Sequence, residues 1–185
     1  MRTLLRDSAA GLMHSMIYFG FLVLLGVTTV LEIDHQVPPA LKFLHGDVYR
    51  AYAAVGDIAG IVFTVGVIWA IIRRYVQRPY RIRIKSKPEH AIGLGVLLAI
   101  GITGFTTEMF RIAGSQAAGE NMDHEKWSVL GYPLAQLVND WSVSTLNTTH
   151  QVMWVAHALF FAAFLVILPI TMLRHMFTSP LNMYL

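Results

Sequence analysis

No cysteine occurs in the 185 residues of this chain. That absence excludes disulfides, thiolate-ligated haem and any cysteine-ligated iron–sulfur cluster held by this chain alone. Charge is also scarce. Asp, Glu, Lys and Arg together make up 14% of the residues, against about a quarter in a soluble domain, while hydrophobic residues reach 55%. Nor is there a polar stretch long enough for a separate soluble domain, so residues 1–185 read as a single unit. An HExxH motif is absent, and no carboxylate shares a helical face with the histidine row of the last apolar run, which argues against zinc or di-iron chemistry.

What is present is four apolar runs, at 11–31, 52–72, 90–109 and 151–173. Each is near the ~20 residues that a spanning helix needs. The first is too long for a signal-peptide core and leads into Glu32-Ile33-Asp34 rather than a small-residue cleavage site. The expected fold is all-α, an integral membrane four-helix bundle. Basic residues set its orientation. Arg73, Arg74, Arg78, Arg81, Arg83, Lys85 and Lys87 crowd one loop, Arg2 and Arg6 precede the first run, and Arg174 ends the last. The positive-inside rule places both termini and this loop in the cytoplasm, in a multi-pass protein of the inner (cytoplasmic) membrane. The net charge of +3 and the pI of about 9.3 are then topogenic and directed at membrane lipids, not at nucleic acid.

Two outer loops remain. In the first, Val37-Pro38-Pro39 leads into ALKFLHGDVY, which reads as a short amphipathic helix at the interface. The second, 110–149, carries Trp127, Tyr132 and Trp141 for an interfacial belt, and Leu130 to Val138 reads as another short helix. Gly56 and Gly60 on the second span give a small-xxx-small spacing that allows close approach of a helix or a flat ring.

The histidines carry the chemistry. His150, His157 and His175 are 7 and 18 residues apart. Eighteen residues are about five helical turns and seven are about two, so on one straight helix all three point the same way, with His157 and His175 ~27 Å apart. Ionisable groups inside a membrane are functional by default, and a neutral imidazole from each of two facing helices suits the axial positions of haem iron. The bland reading of His157 is a core imidazole bonded to a backbone carbonyl, which is costly inside an apolar run. His175, at the cytoplasmic mouth, could simply favour a helix C-terminus, but its register with His157 and the equal depth of His14 on the first span favour a ligand pair. His150 is expected in a loop or cap before the helix. His35 and His45 fall in the first outer loop, His90 at an interface, and His124, within Met-Asp-His-Glu, in solvent.

The segment from His157 through His175 to Ser179-Pro180, with His14, the Val55-Gly56-Asp57-Ile58-Ala59-Gly60 stretch, Arg73-Arg74 and WSVLGYP in order, resembles the respiratory nitrate reductase gamma subunit family. The resemblance covers nearly the whole chain. It implies a membrane cytochrome b with haem between transmembrane helices and electron exchange with quinol. By position, His14 and His175 match the ligands of the cytoplasmic-side haem b, and His157 matches one ligand of the second. The pattern then departs. The family's other outer ligand falls at Leu24, and the helix that precedes the His14 helix in the family has no counterpart here. Either one haem or two are expected. For two, His35 is the nearest partner for His157, then His45, with Met ligation also open.

A closer variant joins such a membrane domain to a cytoplasmic ferredoxin-like part, as in heterodisulfide-reductase-like iron–sulfur proteins. The chain is therefore expected either to continue past Leu185 or to dock an iron–sulfur protein there. The resemblance further implies an electron-transfer flavoprotein as donor in some relatives and menaquinone as acceptor. Quinone chemistry needs a proton donor; Asp57 is the leading internal carboxylate, with Arg50 in the place of a basic residue that touches quinol in the family. The bland alternative makes Asp57 an ion-pair partner of Arg50 or Arg111. A haem-free membrane anchor is the competing function. A transporter fits poorly, because the central thirds of the four runs are nearly free of charge.

Overall fold

The computed structural model describes residues 8–78 and 88–170. Four long helices dominate: α1 (Ser8–Gln36), α2 (Gly46–Ile71), α3 (Pro88–Ala117) and α5 (Val143–Ile170), with a short α4 (Gly131–Gln136) between the last two. All four long helices are apolar enough to cross a membrane, and no strand occurs among the described residues. Each extends beyond its apolar run at one or both ends. A helix of 29 residues such as α1 is ~43 Å long, against ~30 Å of hydrocarbon, so its ends reach into polar surroundings. There the polar side chains serve the helix: Gln36 donates to Glu32 one turn earlier at 2.7 Å.

Neighbouring helices run antiparallel, and glycine brings them together. Gly20 of α1 lies against the backbone of Phe63, where an added Cβ would come within 2.9 Å of the Phe63 Cβ, and Gly66 of α2 meets Met16 and Ile17. On the other side of α2, Gly60 faces the Phe105 ring and Gly101 of α3 faces Thr64. With no hydrophobic driving force between helices in lipid, such close backbone approach is what holds spans together. α3 packs along much of α5, so the chain order α1–α2–α3–α5 is also the spatial order. The circuit closes where Phe21 of α1 meets Phe164 of α5, ring centroids 5.3 Å apart. Phe21, Phe63, Val67, Leu97 and Phe164, drawn from all four helices, form the core.

The spans solve their polar accounts locally. Thr103, Thr106 and Thr107 of α3 each return a hydroxyl to a carbonyl three or four residues back, at 2.6 to 3.3 Å. At the basic end, α2 runs into a π-helical turn (Ile72–Gln77) that carries Arg73 and Arg74 and stops at Arg78, whose φ of 43° is left-handed.

At the opposite, loop end, two expectations need correction. No interfacial helix forms at ALKFLHGDVY. A single 3-10 turn at Pro39–Leu41 is followed by extended chain, held because Oδ1 of buried Asp34 accepts the N–H groups of Phe43 and Leu44 at 2.7 and 2.9 Å. Pro38 and Pro39 offer no N–H to a helix, and Gly46, at φ 57°, turns the chain into α2. His150, expected before the last helix, lies within α5, two turns from its start, because Ser142 caps that helix through the Thr145 N–H. The second short helix does form, as α4.

Candidate functional site

Two polar centres lie on α3, and the histidine contact is the deeper one. His157 of α5 is half-buried against the midpoint of α3, its Nδ1 3.0 Å from the Thr103 hydroxyl. Thr103 has one hydroxyl hydrogen, and it is directed at the Ala99 carbonyl at 2.6 Å, with a longer contact to Ile100 at 3.3 Å. Toward the imidazole the threonine oxygen is therefore an acceptor, so Nδ1 carries the ring proton and Nε2 keeps its lone pair. His14 reaches the same state by another route. Its Nδ1 is 2.8 Å from the Ala10 carbonyl, which can only accept. His14 and His157 are thus held as the tautomer in which Nε2 is free to bind a metal. His14 itself is exposed on the surface of α1.

Residue pairing across α1 and α5 gives the levels. Phe21 and Phe164 touch, and His157 lies seven residues from Phe164, so the antiparallel α1 presents Thr28 at the level of His157. His35, exposed in the last turn of α1, is seven residues farther on, ~10.5 Å along the helix. His45 is exposed ahead of α2, and His90 is half-buried in the first turn of α3. His175 lies outside the described residues, as do Arg2, Arg6, Arg174 and most of the basic loop.

The second centre is five residues, ~7.5 Å, farther along α3 toward the loop end. Asp57, buried on α2, directs Oδ2 at the segment that enters α4. It accepts from the Leu130 N–H at 2.6 Å, the Gly131 N–H at 3.0 Å and the Ser128 hydroxyl at 2.8 Å. Neither Arg50 nor Arg111 supplies any of these bonds, so the ion-pair reading of Asp57 is replaced by a clasp on the loop. Arg50 instead pairs with Asp47 at 2.8 Å. Ser128 Oγ also lies 2.6 Å from Glu108 Oε1. One serine hydrogen serves one carboxylate at a time, so both contacts are hydrogen bonds only while the Asp57–Glu108 pair holds a proton. Gly131 is required here: a Cβ would sit 2.6 Å from Glu108 Cδ and 2.7 Å from Ser128 Oγ.

Beside this clasp, Glu125 is fully buried. Its Oε1 accepts from Tyr49 Oη and from Arg111, each at 2.6 Å, and His124 packs edge-on to Tyr49. His124, expected in solvent, is half-buried instead, next to the fully buried Glu125. Asp123 and the following Lys126 are exposed, and there a hydrogen bond from Lys126 at 2.6 Å holds the Asp123 carboxyl below the usual carboxylate range and raises Lys126 in return. A cavity of ≈ 470 Å³ opens beside this network, lined by Tyr49, Arg111, His124 and Glu125 among others. Glu108, Glu125 and Ser128 escaped sequence reading as a set because Ser128 is 71 residues from Asp57 and Glu125 is 76 from Tyr49. No local spacing encodes such pairs. Among the described residues, no cluster of three or more His, Asp or Glu forms a site for a bare metal ion.

The model of the nitrate reductase gamma subunit family matches residues 5–185. Among characterised proteins, the chain is 28% identical over 182 residues to the EtfAB:quinone oxidoreductase of Syntrophomonas wolfei, covering 96% of this chain and 25% of that protein. It is 26% identical over 190 residues to the probable iron-sulfur-binding oxidoreductase FadF of Bacillus subtilis, covering 99% of this chain and again 25% of the relative. The chain thus spans about a quarter of the length of these relatives. No solved structure matches it.

Proposed function

Because the chain belongs to the nitrate reductase gamma subunit family, we propose that it is a haem b-containing membrane subunit. It passes electrons between a cytoplasmic iron–sulfur or flavoprotein partner and the quinone pool, menaquinone in particular. The observation that carries this reading is His157: an imidazole inside a span, packed on a neighbouring helix, with Nδ1 engaged and the Nε2 lone pair free. The names of the two relatives, one for EtfAB and quinone and the other for iron–sulfur binding, support the choice of partners.

On this reading His14 and His175 would hold one haem at the cytoplasmic side, and His157 would be one ligand of a second. His35, exposed and ~10.5 Å along α1 from the level of His157, is not placed to be its partner, so the position opposite His157 falls to another group. Bound there, haem b supplies a one-electron couple. The protein contributes ligand orientation and a low-dielectric surround: His14 is fixed by its own helix and His157 by α3, while Phe21 and Phe164 fill the level next to His157. Asp57 and Arg50 are assigned to the quinone pocket. The buried Asp57–Ser128–Glu108 unit can hold a proton near where quinone takes one up, and Arg50 presents a cation at the loop end, its buried Nε without a partner among the described residues. Both termini and the basic loop face the cytoplasm across the inner membrane.

The test is haem reduction by a menaquinol analogue in proteoliposomes. The proposal expects the wild-type haem to be reduced, with Asp57→Asn and Arg50→Gln at least ~10-fold slower and with haem content unchanged. Haem that a strong chemical reductant reduces and quinol does not would contradict the quinone assignment. Well-folded protein without haem would leave a membrane anchor.

A further inference from the structure

We propose that Thr103 is the positioning residue for His157. It fixes the imidazole tautomer and ring orientation, leaving Nε2 as the nitrogen that would bind haem iron. The inference rests on the haem reading of His157 and assigns a new role within it.

The geometry is specific. A threonine inside a helix usually returns its hydroxyl to its own backbone, and Thr103 does so, donating to Ala99 at 2.6 Å. That commitment leaves the oxygen with acceptor capacity only, and His157 Nδ1 lies 3.0 Å from it. Thr106 and Thr107, on the same helix, make the same back-bonds but bond to no imidazole among the described residues. The adjacent residue is Gly104, whose missing Cβ would lie 3.4 Å from His157 Cε1, so the ring rests flush on α3. A ring gripped at Nδ1 and packed against a helix has lost both its alternative tautomer and its freedom to rotate. A hydroxyl that accepts Nδ1–H also makes Nε2 a better donor to a metal, which favours the oxidised ion, and loss of such a partner typically costs 10–100-fold in affinity. The threonine itself needs no charge in the membrane, unlike the carboxylate that often plays this part in soluble metal sites.

Thr103→Val removes the acceptor at nearly constant shape, and Thr103→Ser restores it. Both are compared with wild type and His157→Ala, as purified full chains in detergent. Haem occupancy is read by pyridine haemochrome and midpoint potentials by spectroelectrochemical titration. The expected result has two parts. Thr103→Val loses the haem that His157→Ala abolishes, or keeps it with a reduced-to-oxidised ratio at fixed potential about tenfold higher, which is ~59 mV for one electron. Thr103→Ser returns to the wild-type value. Should Thr103→Val fold poorly, Thr103→Ser against Thr103→Ala makes the same comparison. Unchanged occupancy and potential in Thr103→Val, with one haem lost in His157→Ala, would overturn the role of Thr103 and leave the haem reading standing. Haem and potentials unchanged in His157→Ala would overturn both.

Discussion

Replacing Asp57 by alanine should release the loop that leads into α4. Oδ2 of Asp57 accepts from two backbone amides, Leu130 at 2.6 Å and Gly131 at 3.0 Å, and from the Ser128 hydroxyl at 2.8 Å. Hydrogen bonds to a charged acceptor contribute roughly 1.5–3 kcal/mol each. Ser128 keeps Glu108 as a partner, so the loss falls on the two amides, ~3–6 kcal/mol. A locally opened loop lets those amides reach water, which places the value near the lower end, ~3 kcal/mol. At about 1.4 kcal/mol per tenfold, amide exchange at Leu130 and Gly131 should then be ~100-fold faster than in wild type. Asp57→Asn keeps an oxygen acceptor without the charge, and its loss of ~1–2 kcal/mol corresponds to about tenfold. Hydrogen–deuterium exchange of a peptide covering 128–134, with a peptide from α5 as internal reference, measures both. A change of less than about threefold in Asp57→Ala would refute the clasp.

Three further outcomes follow from the packing. Gly131→Ala places a Cβ 2.6 Å from Glu108 Cδ, so it should displace that side chain at a cost of ~1–3 kcal/mol and speed exchange in the same peptide. Gly20→Ala puts a Cβ 2.9 Å from the Phe63 Cβ, with α2 backbone beside it, and should part α1 from α2. Its measure is a lower temperature for loss of helix by circular dichroism, with a penalty of ~1–3 kcal/mol. Glu125→Ala removes the acceptor shared by Tyr49 and Arg111 and leaves them only their mutual bond at 3.3 Å; because Arg111 is partly exposed the cost should be ~1–3 kcal/mol rather than that of a fully buried pair. Protease cleavage within 118–130 at lower enzyme concentration than in wild type would report it.

The spans were legible because lipid demands apolar runs of fixed length, and four such runs lie in the chain. Helix ends were not, since outside the hydrocarbon a polar residue such as Gln36 continues a helix as readily as it ends one. The interfacial helix expected after Pro39 failed because Asp34 satisfies the Phe43 and Leu44 amides from a distance of nine and ten residues. His157 could be singled out from its cost in an apolar run, and Asp57 from being an internal carboxylate. Their partners could not. Thr103 is 54 residues from His157, and the pairing exists only because α3 and α5 lie side by side. Glu125, the buried acceptor for Tyr49 and Arg111, was not singled out in the sequence at all. A buried glutamate of this kind has no local signature, because its burial is produced by the loop folding onto the end of the bundle.

The most direct test of the central claim is haem stoichiometry by pyridine haemochrome, on purified wild type beside His175→Ala and His157→Ala. The account predicts haem in the wild type, with each variant losing one of two. Haem near one, lost only in His175→Ala, would remove the second site, and no haem in well-folded wild type would contradict the cytochrome reading itself.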